Sequence, residues 1–270
     1  MSNIDGLLAD LTEEQDALDR VVAPLDEQAW RTPTPAESWQ VRDQVSHLAY
    51  FDATAALALV APGRFAEHRR ALLAGEVAPG ADVAFGRTVG GSRLLADWRT
   101  GRGDLHDALA AADGAIRVPW YGPDMSLASF VTARLMETWA HGQDVRDALG
   151  LPPSVSDRLR HVCHLGVAAR RYAHLVHGVE DDGTPIRVEV TSPDGVLWAW
   201  GPEEAEEKIT GSALSFALVV TQRRHADDTD LSATGGAARR FLSVAQAFAG
   251  PAGPGRRPGL GGARPLLEGA

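Results

Sequence analysis

Apolar residues recur at helical spacing through the first two thirds of the chain. Leu7, Leu11, Leu18 and Val22 share one face with acidic residues between them, which predicts an amphipathic helix over residues 4–25. The same period predicts further helices at 39–60, at 64–74, from about residue 92, at 127–149 and at 156–177. We expect serine N-caps at residues 38 and 126 for two of them. Residues 1–178 are therefore interpreted as a helical bundle.

The spacing of the apolar residues changes from a helical period to alternation near residue 183. Residues 186–191 alternate apolar with polar side chains, residues 192–195 carry a turn signal, and residues 196–200 complete a β-hairpin pattern. We expect a helix over 213–220 that starts in the polar residues 206–208, then a strand over 229–234 and a helix over 235–249. The sequence thus predicts a mainly α protein with a small α+β domain at 183–249. Residues 250–270, rich in Gly and Pro, are interpreted as a flexible tail.

The composition and charge of the chain argue against several classes of function. The formal charge of −10 and the pI near 5.3 argue against a nucleic-acid-binding surface, which needs a basic patch. No apolar run reaches the roughly 18 residues of a membrane span, and no signal peptide precedes the first helix, so we expect a cytoplasmic protein. The one cysteine, Cys163, excludes an internal disulfide and a Cys-rich zinc site. Lys208 is the sole lysine among 26 basic residues, a bias typical of GC-rich bacterial coding.

A candidate metal site lies in the predicted helix 127–149. Glu137 and His141 stand four residues apart and leave the same helix face, where both can reach one ion. His47, in the predicted helix 39–60, is the best candidate for a third ligand. Taken alone the spacing is weak evidence, because a helical Glu and His so placed often form a simple surface pair. Three ligands would leave an open position, which is typical of catalytic rather than structural zinc.

Three further features are candidates for a role in substrate handling. Arg134, one turn before Glu137, could orient a substrate carboxylate or form a salt bridge at the helix edge. Asp144 could act as a general base. The aromatic residues of the segment 116–123 could form a pocket wall or pack over one end of the bundle.

Two segments carry a resemblance to a known family. They are Gln44-Val45-Ser46-His47-Leu48 and Glu137-Thr138-Trp139-Ala140-His141-Gly142-Gln143-Asp144-Val145. Both resemble the DinB-like metalloprotein superfamily, in particular the branch typified by mycothiol-dependent maleylpyruvate isomerase. The resemblance implies a four-helix bundle followed by a small α+β domain. It also implies a divalent metal, often zinc, held by His47, Glu137 and His141.

The resemblance favours a thiol-dependent enzyme. A metal-bound low-molecular-weight thiol such as mycothiol is deprotonated and can add to the double bond of a small-molecule substrate, giving isomerisation or S-transfer. A metal-dependent hydrolase, with Asp144 as its base, is the second hypothesis. A non-catalytic module that binds metal and thiol is the third. The sequence specifies neither the substrate nor the oligomeric state.

Overall fold

The computed structural model describes residues 4–259, which divide into two compact units. The first ends at Leu151 and the second begins at Pro152. The sequence prediction placed the boundary near residue 178 instead. The difference arises because the helices between residues 159 and 176 pack within the second unit. The thiol of Cys163 donates to the main-chain oxygen of Ala213, and a Cβ on Gly166 would lie 2.7 Å from Val220.

Between residues 4 and 151 the first unit contains six α-helices and one short antiparallel ladder. The helices are α1 (Ile4–Val22), α2 (Val41–Val60), α3 (Pro62–Leu73), α4 (Ala81–Ala84), α5 (Gly91–Ala111) and α6 (Leu127–Ala148). The ladder pairs β1 (Arg117–Val118) with β2 (Met125–Ser126). Helices α1, α2, α5 and α6 are long and pack into a four-helix bundle, as the family resemblance implied.

The core of the bundle explains why these four helices form. Leu18 on α1, Val45 and Leu48 on α2, Trp98 on α5 and Val145 on α6 belong to one buried cluster. Each residue lies on the apolar face that its helical period predicts. Burial of each large aliphatic side chain contributes about 1.5–3 kcal/mol, so the core fixes α2 against α6.

The two predicted N-caps had different outcomes. Ser126 caps α6, because its hydroxyl accepts from the Ser129 amide at 3.2 Å. The prediction for Ser38 was wrong, since α2 begins at Val41, two residues after the predicted start at 39, and its N-cap is Gln40. Ser38 has a φ of 64° in the preceding turn, and the Gln40 amide donates to the Asp43 carboxylate at 2.8 Å. Asp43 therefore anchors the start of α2.

The described part of the second unit, residues 152–259, contains a four-stranded sheet and four α-helices. The strands are β3 (Ile186–Thr191), β4 (Leu197–Trp200), β5 (Glu207–Ser212) and β6 (Ser232–Thr234), in the order β4-β3-β5-β6. Strands β3 and β5 are parallel, and the other two pairs are antiparallel. The helices are α7 (Leu159–Ala168), α8 (Arg170–Val176), α9 (Ala213–Val220) and α10 (Gly236–Val244). The predicted hairpin is β3–β4, and the mainly α fold with a small sheet domain is confirmed.

Two sequence expectations for this unit can be compared directly with the structure. The helix predicted over 213–220 forms as α9, but its predicted polar start at 206–208 was wrong, because Glu207–Ser212 form strand β5. Residues 250–259, read as the start of a flexible tail, carry main-chain hydrogen bonds to side chains of this unit: the Gly253 amide donates to Gln246 and the Gly259 amide to Asp228. Residues 260–270 lie outside the described part of the chain. Within residues 4–259, no helix has the length and apolar character that a membrane crossing requires.

Candidate metal centre

Helices α2 and α6 bring the three predicted ligands together. His47, Glu137 and His141 each offer a ligand atom within 4.8 Å of the other two. The rings of His47 and His141 lie 4.4 Å apart between centroids, and His141 Nε2 is 3.3 Å from Glu137 Oε2. Among residues 4–259 this is the single such group of three or more His, Cys, Asp or Glu side chains.

The ring of His47 is held by a carboxylate that sequence reasoning missed. Its Nδ1 lies 2.7 Å from Asp82 Oδ2, on the short helix α4. The hydrogen bond from His47 is the main cause that keeps the pKa of Asp82 below its ordinary value. Since the charged carboxylate accepts, Nδ1 of His47 carries the proton. Its Nε2 is then the atom that remains as a ligand.

The ring of His141 is held in the same way by a chain of three hydrogen bonds. Gln44 Nε2 donates to the Thr34 hydroxyl at 3.0 Å, and that hydroxyl donates to the main-chain oxygen of Trp39 at 3.1 Å. Gln44 Oε1 therefore faces His141 Nδ1, at 2.5 Å. Because an amide oxygen only accepts, Nδ1 of His141 carries a proton and Nε2 is left facing Glu137.

Glu137 supplies negative charge to the same space. Its side chain is 23% exposed, and burial raises its pKa, but the hydrogen bond with His141 and the charges of His47 and Arg134 outweigh burial. Together they lower the pKa of Glu137 to about 2. The carboxylate is therefore ionised at neutral pH.

This donor set fits a divalent metal. Two ring nitrogens and a carboxylate oxygen are ordinary zinc ligands, and neighbouring ligands of a tetrahedral zinc with bonds of about 2.0–2.1 Å lie about 3.3 Å apart. The separation of 3.3 Å between His141 Nε2 and Glu137 Oε2 agrees with that edge. Lone pairs that face each other so closely repel unless a proton or a cation lies between them. Histidines that bind metals usually donate their second ring N–H to an acceptor, as both do here.

Aromatic rings border the cluster. Trp39 stacks on His141 with centroids 5.9 Å apart, and Phe51 lies 4.6 Å from the ring of His47. Trp120 and Tyr121, from the segment predicted as a pocket wall, contact Phe51 in turn, at 6.3 and 5.8 Å between centroids. The segment therefore lies beside the candidate centre.

Arg134 and Asp144, the two weaker candidates for a role in substrate handling, are both buried. Arg134 is 3% exposed and pairs with Asp52 on α2, with Nη2 2.8 Å from Oδ1. Its guanidinium thus joins α6 to α2 in a buried ion pair. Asp144 is 1% exposed and does not belong to the three-residue group found in the described residues.

Comparisons with known proteins agree with this architecture. A family model described as the mycothiol maleylpyruvate isomerase N-terminal domain matches residues 11–146. The chain belongs to that family. The resemblance inferred from the two sequence segments is thereby confirmed.

Curated relatives and solved structures extend the match over nearly the whole chain of this family member. Two Mycobacterium tuberculosis proteins, from different strains and both described as uncharacterized, are 44% identical over 257 residues, which is 95% of this chain and 100% of theirs. Two crystal structures of the mycothiol-dependent maleylpyruvate isomerase, one with a histidine-to-alanine substitution, align with a TM-score of 0.58. They share 16% identity and cover 86% of this chain and 93% of theirs, which shows the shared fold. A second model, described as wyosine base formation, matches residues 182–234.

Asp82 and the Thr34–Gln44 pair were not found from the sequence of this family member. Asp82 is 35 residues from His47 and lies in a Gly- and Pro-rich segment, where no local pattern indicates a partner. The sequence indicated only that Gln44 lies on the same predicted helix as His47, which places it near the candidate site without giving it a role. These residues hold the imidazoles and do not themselves offer ligand atoms to the group.

Removing the Asp82 carboxylate is expected to weaken metal binding. In Asp82→Ala the imidazole of His47 loses the acceptor that fixes its tautomer and orientation, and losses of this kind are about 10- to 100-fold in affinity. Competition with a chromophoric chelator measures the change. Asp97→Ala, which removes an exposed carboxylate paired with Arg93, is the matched control and should bind metal like wild type. Equal affinity in both variants would contradict the role given to Asp82.

Proposed function

We propose that His47, Glu137 and His141 hold a divalent metal, zinc in the first instance, and that the protein uses a low-molecular-weight thiol to isomerise a small unsaturated substrate or to transfer sulfur to it. The observation that carries the proposal is the pair of restrained histidines. Each has its Nδ1 engaged by a partner in the bundle, so that Nε2 is the atom that would bind the metal beside the Glu137 carboxylate, in place of the proton that His141 shares with Glu137 in the metal-free protein.

The thiol must come from outside the chain. Cys163 is the one cysteine, and it is fully buried in the second unit with its thiol donating to the Ala213 carbonyl. Burial raises its pKa far above the usual range, so it is not a nucleophile at neutral pH. Membership of the mycothiol maleylpyruvate isomerase family makes mycothiol the first thiol to test.

The chain's own residues would bind and orient the reactants. When bound, the metal supplies the charge that keeps a thiol ligand deprotonated at neutral pH. Asp82 and Gln44 hold the two imidazoles in one tautomer, and the rings of Trp39 and Phe51 limit the access of water from their sides. The buried Arg134–Asp52 pair keeps α6 in place against α2.

The bond changes of the proposed isomerisation balance without any other reagent. The thiolate sulfur forms a bond to one carbon of a conjugated double bond, and the π electrons move to the conjugated carbonyl oxygen. Rotation follows about the new single bond. Return of the electrons breaks the C–S bond and releases the thiolate. If the adduct instead takes a proton from water and leaves, the outcome is S-transfer.

The decisive experiment is an assay of the purified, metal-loaded protein with mycothiol and maleylpyruvate. We expect isomerisation that requires both the thiol and the metal. Thiol-independent turnover would support the hydrolase hypothesis, in which Asp144 would have to act from its buried position. Thiol binding without turnover of any unsaturated or electrophilic acid would support a non-catalytic binding module. We place this chemistry in the cytoplasm, where thiols are kept reduced.

A further inference from the structure

A cavity lies entirely among residues of the second unit. Its volume is about 750 Å³, within the range of small-molecule sites. Its walls come from the end of α9, the segment 222–233, helix α10 and the segment 254–256. None of its lining residues takes part in the candidate metal centre.

The charge of the cavity is opposite to that of the chain. Arg224, Arg239, Arg256 and His225 line it, and Asp227 is the one acidic residue among the described residues that do so. The chain as a whole has a formal charge of −10. Three arginine side chains that line one cavity favour an anion, because the planar N–H groups of a guanidinium suit carboxylate or phosphate oxygens. Arg224 also donates to the Arg223 carbonyl and Arg239 to the Ala233 carbonyl, contacts that orient the two side chains.

The cavity also has an apolar side. Val219, Leu231 and Leu242 line it together with the hydroxyl-bearing Thr229 and Ser243. Apolar walls with a few charged groups are typical of sites for organic ligands, in which the apolar part gains from burial and the charged groups fix the orientation. A ligand that matches both sides carries an anionic group on an apolar body.

The segment that completes the wall is held in place by hydrogen bonds. The Gly255 amide donates to Gln222 Oε1 at 3.3 Å, and the Gly253 amide donates to Gln246 Oε1 at 2.9 Å. A Cβ on Gly253 would lie 2.0 Å from Gln222 Oε1, so a larger residue at this position would displace the Gln222 side chain. Arg256 is thereby carried on an ordered segment of the chain.

We propose that this cavity binds a small organic anion, a carboxylate or phosphate attached to an apolar group, with Arg224, Arg239 and Arg256 as the anion-binding residues. The site is separate from the proposed thiol chemistry and does not depend on it. A carboxylate and a phosphate offer the same oxygens to a guanidinium, and the probes below distinguish them.

Isothermal titration of the full-length protein with phenyl phosphate and with benzoate tests the proposal. We expect at least one of them to bind with one-to-one stoichiometry and at least tenfold more tightly than uncharged benzyl alcohol. The anion that binds identifies the class. Arg224→Gln and Arg239→Gln should each weaken binding about tenfold, because each removes a charge-assisted hydrogen-bond donor. Arg171→Gln, an exposed arginine that does not line the cavity, is the matched control and should bind like wild type.

Two further measurements distinguish a loss of anion binding from a loss of fold and from an effect at the metal centre. Circular dichroism of each variant confirms that a loss of binding is not a loss of fold. His141→Ala should bind the probe like wild type, which separates this cavity from the metal centre. The proposal is overturned if neither anion binds, if benzyl alcohol binds equally well, if both folded arginine variants bind like wild type, or if His141→Ala abolishes binding.

Discussion

The Glu137→Gln protein is expected to bind divalent metal at least a hundredfold more weakly than wild type. The substitution keeps the size of the side chain but removes the negative charge that faces both Nε2 atoms. At an effective dielectric constant near 20, an ion–carboxylate contact contributes several kcal/mol, and a hundredfold change needs only about 2.7 kcal/mol. Competition with a chromophoric chelator at neutral pH measures the affinity.

Glu67→Gln is the control for this prediction. Glu67 is an exposed carboxylate on α3 of the same unit, and its replacement removes the same charge away from the cluster. We expect it to keep wild-type affinity. If the two variants bound metal equally well, Glu137 would not be a ligand and its low pKa would reflect only its pairing with His141.

Arg134→Met is expected to lower the free energy of unfolding by about 3–5 kcal/mol. The substitution leaves the Asp52 carboxylate fully buried, with hydrogen bonds from the Trp98 indole and the Gln15 amide but without the opposite charge of Arg134. Loss of one partner of a buried ion pair is costly because the other charge stays in a medium of low polarity. Urea unfolding, read as a shift of the midpoint at constant slope, measures the effect.

Two variants check that this loss comes from the buried charge. Arg93→Met breaks an exposed pair with Asp97, whose side chains are 69% and 33% exposed, and should change stability by at most about 1 kcal/mol. Addition of Asp52→Leu to Arg134→Met should recover part of the lost stability, because no buried charge then remains. A wild-type midpoint for Arg134→Met would contradict the structural role given to the pair.

The helices of the bundle could be predicted because the apolar residues that they bury repeat with a helical period within each segment. Leu18 and Val22 repeat with a helical period, and proline or glycine marks most of the breaks. Strand β5 could not be predicted in the same way. Its residues 207–212 contain one buried side chain, Ile209, and the strand is stabilised by parallel pairing with β3 rather than by its own alternation. The pairing of two strands that are distant along the chain produces no pattern within the sequence of either strand.

In the candidate site, too, residues indicated by a local pattern could be predicted and residues brought together by the fold could not. The four-residue spacing of Glu137 and His141 marked one helix face, and the resemblance of two segments to a family added His47. Asp82 and Thr34 are brought to the imidazoles only by the fold, since a contact over many residues follows from packing. From its position Arg134 was expected either to orient a substrate carboxylate or to form a salt bridge at the helix edge. It forms a salt bridge, but a buried one, and its partner Asp52 lies on another helix and could not be identified from local spacing.

Elemental analysis of the purified protein tests the central proposal most directly, with His47→Ala and His141→Ala prepared in parallel. The account predicts close to one equivalent of zinc or another divalent metal in wild type and a loss of that metal in both folded variants. Metal-free wild-type protein after reconstitution, or full metal content in both variants, would contradict it.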